Sequence, residues 1–239
     1  RIPLLAHWHT GALAHYYTGH CQQVNKYCRW SKHLLPDQTL IDATKGFLDP
    51  EEGGALYACA REMAIKGPCL EIGSYCGKSA LYLGGACKAV GGVLFSIDHH
   101  RGSEEQQPGE GYFDAGLFDF ATLRVDTLPF FRQTLIAAEL TDTVVPMVCT
   151  SAVAARAWAT PLALVFIDGG HAYETVRSDY QLWRRHVMPG GRLLFHDLFE
   201  DPAEGGQAPW EVYQEALSSG LFEQIDRVKS LGILKRLPE

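Results

Sequence analysis

A chain of 239 residues, 46% hydrophobic and 21% charged, carries enough apolar material for one α/β domain with an extension, and disorder is not its default. Its formal net charge is −7 and its 21 Lys and Arg residues are scattered. That balance lacks the basic stripe of a nucleic-acid groove and disfavours anionic membrane surfaces. No apolar run reaches the roughly 18–20 residues of a membrane span. No signal peptide is legible at the start. Seven cysteines, an odd number without a CxxC pair, suit free thiols in a reducing cytoplasm.

In chain order, residues 1–48 stand apart as an N-terminal cap or helical extension without a strand–helix rhythm. This stretch is rich in His, Tyr and Trp, including His7, Trp8, His9 and His20, and holds Cys21 and Cys28. A zinc site would need ligand spacings that these residues do not show. The segment reads instead as an aromatic cap over a substrate cavity or as a contact in a homodimer. Residues 49–239 form the main domain. Asp49-Pro50-Glu51-Glu52 opens a helix, with Asp as cap, Pro in the first turn and acids at the positive end, running to Lys66 before Gly67-Pro68. Cys69–Ile72 is a short buried strand, Lys78–Val90 a small-residue helix closed by Gly91-Gly92, and Val93–Ile97 a second strand ending at Asp98. Residues 99–120 form a long polar loop, of a length typical of a lid or binding segment. Tyr112, Phe113 and Phe118 in it supply either a cavity wall or ordinary packing. A helix is predicted from about Ala121 to Leu140. Then come a strand over Val144–Val148, a short helix from Ser151, a strand over Leu162–Ile167 ending at Asp168, and a helix over Tyr173–His186. A turn at Pro189-Gly190-Gly191 precedes a strand over Arg192–Phe195 that ends at His196-Asp197. A helix over Pro209–Ser218 and two closing strands, Phe222–Val228 and Leu231–Leu237, complete the chain. This alternation predicts an α/β fold: a doubly wound, mostly parallel sheet with an antiparallel last strand.

Ligands of such sheets bind beyond the carboxyl ends of the strands. Polar groups collect there: Gly73-Ser74-Tyr75-Cys76-Gly77 after the first strand, Asp98 after the second, Thr150-Ser151 after the third, Asp168 after the fourth, and His196-Asp197 after the fifth. The glycine turn Glu71–Ser79 lets the backbone approach a ligand closely and leads into a helix N-terminus. It is one residue short of a Walker A loop, and Tyr75 stands where a dinucleotide loop has its middle glycine. An acid at the position of Asp98 can accept hydrogen bonds from both hydroxyls of a ribose, which implies an adenosine ligand.

The segments Leu70–Ala80, Phe166-Ile167-Asp168-Gly169-Gly170-His171-Ala172-Tyr173, and Pro189-Gly190-Gly191 with His196-Asp197 resemble, in order, the motifs of class I S-adenosylmethionine-dependent methyltransferases. They resemble in particular the catechol O-methyltransferase-like small-molecule group, and the resemblance runs from about residue 50 to the end. It implies S-adenosylmethionine as cofactor, held along Glu71, Gly73, Ser74, Tyr75 and Gly77, with Ser79 at its carboxylate, Asp98 at its ribose, Ser151 near its adenine and Asp168 toward its amino group. It also implies a divalent metal, Mg²⁺ or another, at Asp168, His196 and Asp197. The His-Asp pair departs from the Asp-Asn or Asp-Asp pair of metal-dependent relatives, and imidazole suits softer metals than Mg²⁺. His171 matches the position of a catalytic Lys.

Methyl transfer is an in-line displacement from an activated sulfonium, so the protein must place the nucleophile and remove its proton. His171 is the candidate general base, because a neutral imidazole can take a proton near pH 7. It could otherwise cap the following helix or pair structurally with Asp197. His196 is a second candidate, as ligand or base, beside a packed structural role. The expected function is methyl transfer to a small-molecule acceptor, at a hydroxyl oxygen. The competing readings are a nicotinamide-dependent oxidoreductase and a non-catalytic adenosine-ligand-binding protein.

Overall fold

The computed structural model describes residues 36–238; the expectations for the His- and aromatic-rich segment before them lie outside the described residues. Helix α1 (Gln38–Ala43) starts at Asp37, whose side chain accepts from the Thr39 N–H, and buries Ile41 in the same core as the helices that follow. Helix α2 (Pro50–Met63) carries the full capping box: Asp49 caps it and Glu52 reaches back to the Asp49 N–H. It ends at Met63, short of the predicted Lys66, in a tight turn from Lys66 N–H to the Met63 carbonyl. Strand β1 (Cys69–Ile72) and helix α3 (Lys78–Val90) fall where the sequence places them. Strand β2 (Leu94–Ile97) follows.

The segment after β2 departs most from expectation. Two single turns of 3₁₀ helix, Glu104–Gln106 and Ala115–Leu117, lead into a small ribbon of β3 (Phe118–Asp119) and β4 (Arg124–Val125). The predicted helix over residues 121–140 shrinks to α4 (Leu128–Ala137). Asp119 turns the chain by accepting from the Ala121 N–H and the Thr122 hydroxyl, and Leu123 then takes φ 54°, which no helix admits. Helical backbone begins only after Asp126 accepts from the Leu128 N–H, with Pro129 in the first turn.

Strand β5 (Val144–Met147), helix α5 (Ser151–Ala155), strand β6 (Leu162–Ile167) and helix α6 (Tyr173–Trp183) complete the parallel part, α6 ending in a 3₁₀ turn through His186. Strand β7 (Val187–Phe195) absorbs the predicted Pro-Gly-Gly turn: Leu162 pairs with Val187 and Leu164 with Arg192, so the turn becomes an irregularity inside one strand. Helix α7 (Ala208–Ser218) and the antiparallel pair β8 (Phe222–Val228) and β9 (Leu231–Arg236) close the chain.

The seven-stranded sheet has the order β5-β2-β1-β6-β7-β9-β8. Every pairing from β5 to β7 is parallel, and β9 runs antiparallel to both of its neighbours. Two cores cover its faces. One joins α2 and α3 through Leu56, Met63, Leu81 and Leu83; the other joins α6 and α7 through Tyr180, Trp183 and Tyr213. The order reverses between β1 and β6, so the parallel strands open a crevice at their carboxyl ends.

Candidate active site

A cavity of about 1020 Å³ occupies that crevice. Its floor is the turn after β1. Gly73 has φ 86°, and a Cβ there would stand 2.0 Å from the Asp168 carbonyl oxygen, so only glycine lets the β1 and β6 ends come together. Tyr75 is forced to φ 48°, a strained placement at the mouth of the turn. Asp98, at the end of β2, binds this turn: its Oδ2 accepts from the Ser74 and Tyr75 N–H groups at 3.0 and 2.9 Å, and its Oδ1 from the His100 N–H at 2.7 Å. The Ser74 hydroxyl is buried with no partner.

Glu71 lies beneath the turn and does not reach the cavity, unlike its neighbours Gly73, Ser74, Tyr75 and Ser79. Its carboxyl is wholly buried, accepting from Ser79 Oγ at 2.9 Å and Ser96 Oγ at 2.6 Å. Burial pushes its pKa up to about 8, against the two hydroxyls that favour the charged form. The structure gives it a supporting place under the loop. Gly77 is also off the lining, with its α-carbon face against Phe131 and Thr134. Ser151 lines the cavity at the end of β5, and its Oγ accepts from Trp183 Nε1 at 2.7 Å.

The strand ends of β6 and β7 bring Asp168, His171, His196 and Asp197 together. His196 is buried and faces three carboxylates. Its Nε2 is 2.9 Å from Glu52 Oε2, and its Nδ1 is 3.1 Å from Asp168 Oδ1 and 3.3 Å from Asp197 Oδ2. Burial opposes a charge on this ring, but Asp168, Asp197 and Glu52 outweigh it and hold the imidazolium well above its ordinary range. Glu52 is fixed in turn, Oε1 accepting from the Ser230 N–H and hydroxyl at 2.8 and 2.7 Å. Burial would raise its pKa; His196 and Ser230 bring it below the usual value. Asp197 sits at φ 57°, which turns its carboxylate toward both histidines. Burial pushes that carboxylate up, and the two imidazoles hold it well below the usual range.

His171 is engaged on both ring nitrogens: Nε2 lies 2.9 Å from Asp197 Oδ2, and Nδ1 lies 3.0 Å from Glu105 Oε2 on the long loop. Asp197 is the larger of the influences that lift its pKa to about 9 against its burial. The neutral ring expected from the sequence is therefore the minor form at pH 7. Glu52 and Glu105 are the site residues that the sequence reading missed. For Glu52 a signal existed: it shares the spacing of Leu56, Ala60 and Met63, the inward face of α2. Of the loop aromatics, Tyr112 borders the cavity and packs edge-on against Phe47 at 5.4 Å, while Phe113 and Phe118 pack with Cys76, Leu117 and Val125. Among the described residues, no helix is long and apolar enough to cross a membrane.

A parallel sheet with a glycine turn, an acid at the next strand end and an acid–imidazole cluster across the crevice defines a Rossmann-like transferase fold of the methyltransferase type. A family model described as a methyltransferase domain matches residues 70–198, and the chain belongs to that family. Solved structures agree on the fold. The O-methyltransferase from Bacillus cereus in complex with SAH is 13% identical, with a TM-score of 0.60 over 85% of this chain and 93% of that one. The O-methyltransferase NovP is 18% identical, with a TM-score of 0.61 over 79% and 80%. TomG from Streptomyces achromogenes, an O-methyltransferase of tomaymycin synthesis solved with SAM, is 15% identical, with a TM-score of 0.60 over 87% and 93%. The family match does not favour the nicotinamide-dependent and non-catalytic readings.

Proposed function

We propose that the chain transfers the methyl group of S-adenosylmethionine to a hydroxyl oxygen of a small-molecule acceptor. One observation carries this reading: a nucleoside cradle and an acid–imidazole cluster border a single cavity. Gly73 and the unpartnered Ser74 hydroxyl leave room and a hydrogen-bonding group for the methionine part of the donor, and Asp98 stands where a ribose would meet it. The solved relatives whose titles record SAH or SAM support the choice of donor.

In this reading His171 removes the acceptor's proton. Glu105, the more exposed of its two partners, gives way to the acceptor hydroxyl at Nδ1, while Asp197 stays on Nε2, orients the ring and stabilises the imidazolium formed by proton uptake. His196 is enclosed by carboxylates on both nitrogens, so its part is to fix Asp168 and Asp197 and to balance their charge. Asp168, His196 and Asp197 each offer a ligand atom, all within 4.8 Å of one another. Two carboxylates and one imidazole fit Zn²⁺ or Fe²⁺ better than Mg²⁺, and His196 would have to lose its proton first, since a ligating ring is neutral. Such an ion, when bound, would lower the pKa of an acceptor hydroxyl.

Thermal shift with S-adenosylmethionine, S-adenosylhomocysteine, NAD and ATP tests the donor. A ligand at 100 times its dissociation constant adds about 2.7 kcal/mol of stability. Stabilisation by the first two is expected, and stabilisation by NAD alone would overturn the reading.

A further inference from the structure

Asp179, midway along α6, takes no part in the chemistry above, yet its buried side chain borders the cavity between the ends of β5 and β6. Two neighbours locate it. A Cβ on Gly169 would lie 3.3 Å from Oδ2, so the carboxylate leans against the turn after β6. On the other side the Ser151 hydroxyl serves it as a hydrogen-bonding neighbour. That hydroxyl has one proton, and its oxygen already accepts from Trp183 Nε1. The oxygen of Ser151 is thus already engaged. Asp179 has acceptor sites to spare: a carboxylate has about four, and among the described residues no cation offsets its burial, which pushes its pKa up to about 6. At neutral pH a mostly buried carboxylate thus stands at a cavity wall with the Ser151 hydroxyl near it. Such an arrangement fits a site completed by a donor from the ligand.

The strand order says which part of the ligand arrives there. From the reacting cluster at the ends of β7 and β6, the rim passes β1 with Gly73, then β2 with Asp98, then β5 with Ser151. A nucleoside with its sulfur toward Asp168 and its sugar at Asp98 has its base at the β5 end, within the walls formed by Thr150, Ser151 and Asp179.

We infer that Asp179 reads the base of the cofactor, its carboxylate accepting a hydrogen bond from the exocyclic amino group of adenine. Ser151, expected from the sequence to stand near the adenine, then acts by orienting Asp179. The inference rests on the S-adenosylmethionine reading above.

The test is calorimetric titration of the full chain with S-adenosylhomocysteine and with its analogue lacking the 6-amino group. A hydrogen bond to a charged acceptor predicts that wild type binds the amino form tenfold or more tightly, on the order expected for such bonds. Asp179→Asn and Asp179→Ala should each reduce that ratio about fivefold or more, chiefly by weakening the amino form. A wild-type ratio near one overturns the inference without recourse to any variant, as does an undiminished ratio in folded Asp179→Asn. Either result leaves the methyl-donor reading standing, because S-adenosylhomocysteine still binds. A wild-type chain that binds neither compound overturns both.

Discussion

Glu52 and His196, 144 positions apart in sequence, meet in a buried contact of 2.9 Å that ties α2 to the end of β7. Both are nearly inaccessible, with side chains 3% and 5% exposed. A charged pair out of water is sustained only when its remaining hydrogen-bonding sites are filled. Here Ser230 fills Glu52, and Asp168 with Asp197 fills His196. Glu52→Gln keeps the volume but turns one acceptor into a donor, and an amide that keeps its oxygen on Ser230 sets its N–H against the His196 N–H. We expect a loss of about 1–3 kcal/mol in urea unfolding. His196→Gln should cost a similar amount, and the double variant less than the sum of the two. Additive losses would mean that the contact is not a stabilising pair.

The proton count on His171 sets a pH dependence for the reaction. With its pKa at about 9, the neutral ring that can act as base is scarce at pH 7. Its population rises about tenfold per pH unit until the pKa is approached. Single-turnover methylation with an acceptor that supports turnover should follow that rise and level by about pH 9, earlier to the extent that the acceptor has displaced Glu105 from Nδ1. His171→Gln should flatten the profile and slow the step by about 10²–10⁴-fold, while S-adenosylhomocysteine affinity stays near wild type. A flat wild-type profile would remove His171 as the base.

Much of this arrangement was legible in the sequence where chemistry is local. The buried run Cys69–Ile72, the glycine-closed helix Lys78–Val90 and the apolar run Leu162–Ile167 came out at their predicted bounds, because a buried parallel strand and a capped helix carry their own signals. What failed was non-local. The shortened helix is the local exception: Asp119 turns the chain onto residues 121 and 122, and Asp126 with Pro129 starts the helix at Leu128, signals that the apolar spacing overrode. The proton state of His171 depends on Glu105, 66 positions earlier, and on the backbone of Asp197 at φ 57°. Glu71 looked like a ligand contact because it opens the glycine motif, but strand alternation sends its side chain beneath the turn, to Ser79 and Ser96.

Glu71 makes stability depend on pH in a stated direction. Its folded pKa of about 8 stands above the ordinary 4.5, so the folded state holds the proton more tightly than the unfolded one. The stabilisation is fully present below pH 4.5 and is lost as pH climbs through 8. Asp179, His171 and His196 are raised as well and act with the same sign. Unfolding free energy from urea titration should therefore fall from about pH 5 to about pH 9. Glu71→Gln should make the decline shallower and match or exceed wild type at pH 9, since an amide can still bond both serines. A decline unchanged by Glu71→Gln would show that Glu71 titrates near its ordinary value.

Gly73 and Gly91 share a left-handed backbone and differ only in their surroundings, which separates conformational strain from steric exclusion. Gly91, at φ 70°, closes α3 with nothing within 4 Å of an added Cβ. Gly91→Ala therefore incurs the left-handed penalty alone, roughly 1–2 kcal/mol. Gly73, at φ 86°, would place its Cβ 2.0 Å from the Asp168 carbonyl oxygen and 3.0 Å from the Gly169 α-carbon. Those are backbone atoms of the neighbouring strand end, and neither can rotate away. Gly73→Ala must spread β1 from β6 at the crevice, so we expect a loss of roughly 3 kcal/mol or more, with S-adenosylhomocysteine binding abolished. Equal losses at the two positions would mean that the turn after β1 yields without moving β6, and that the close approach at Gly73 is not what shapes the cofactor cradle.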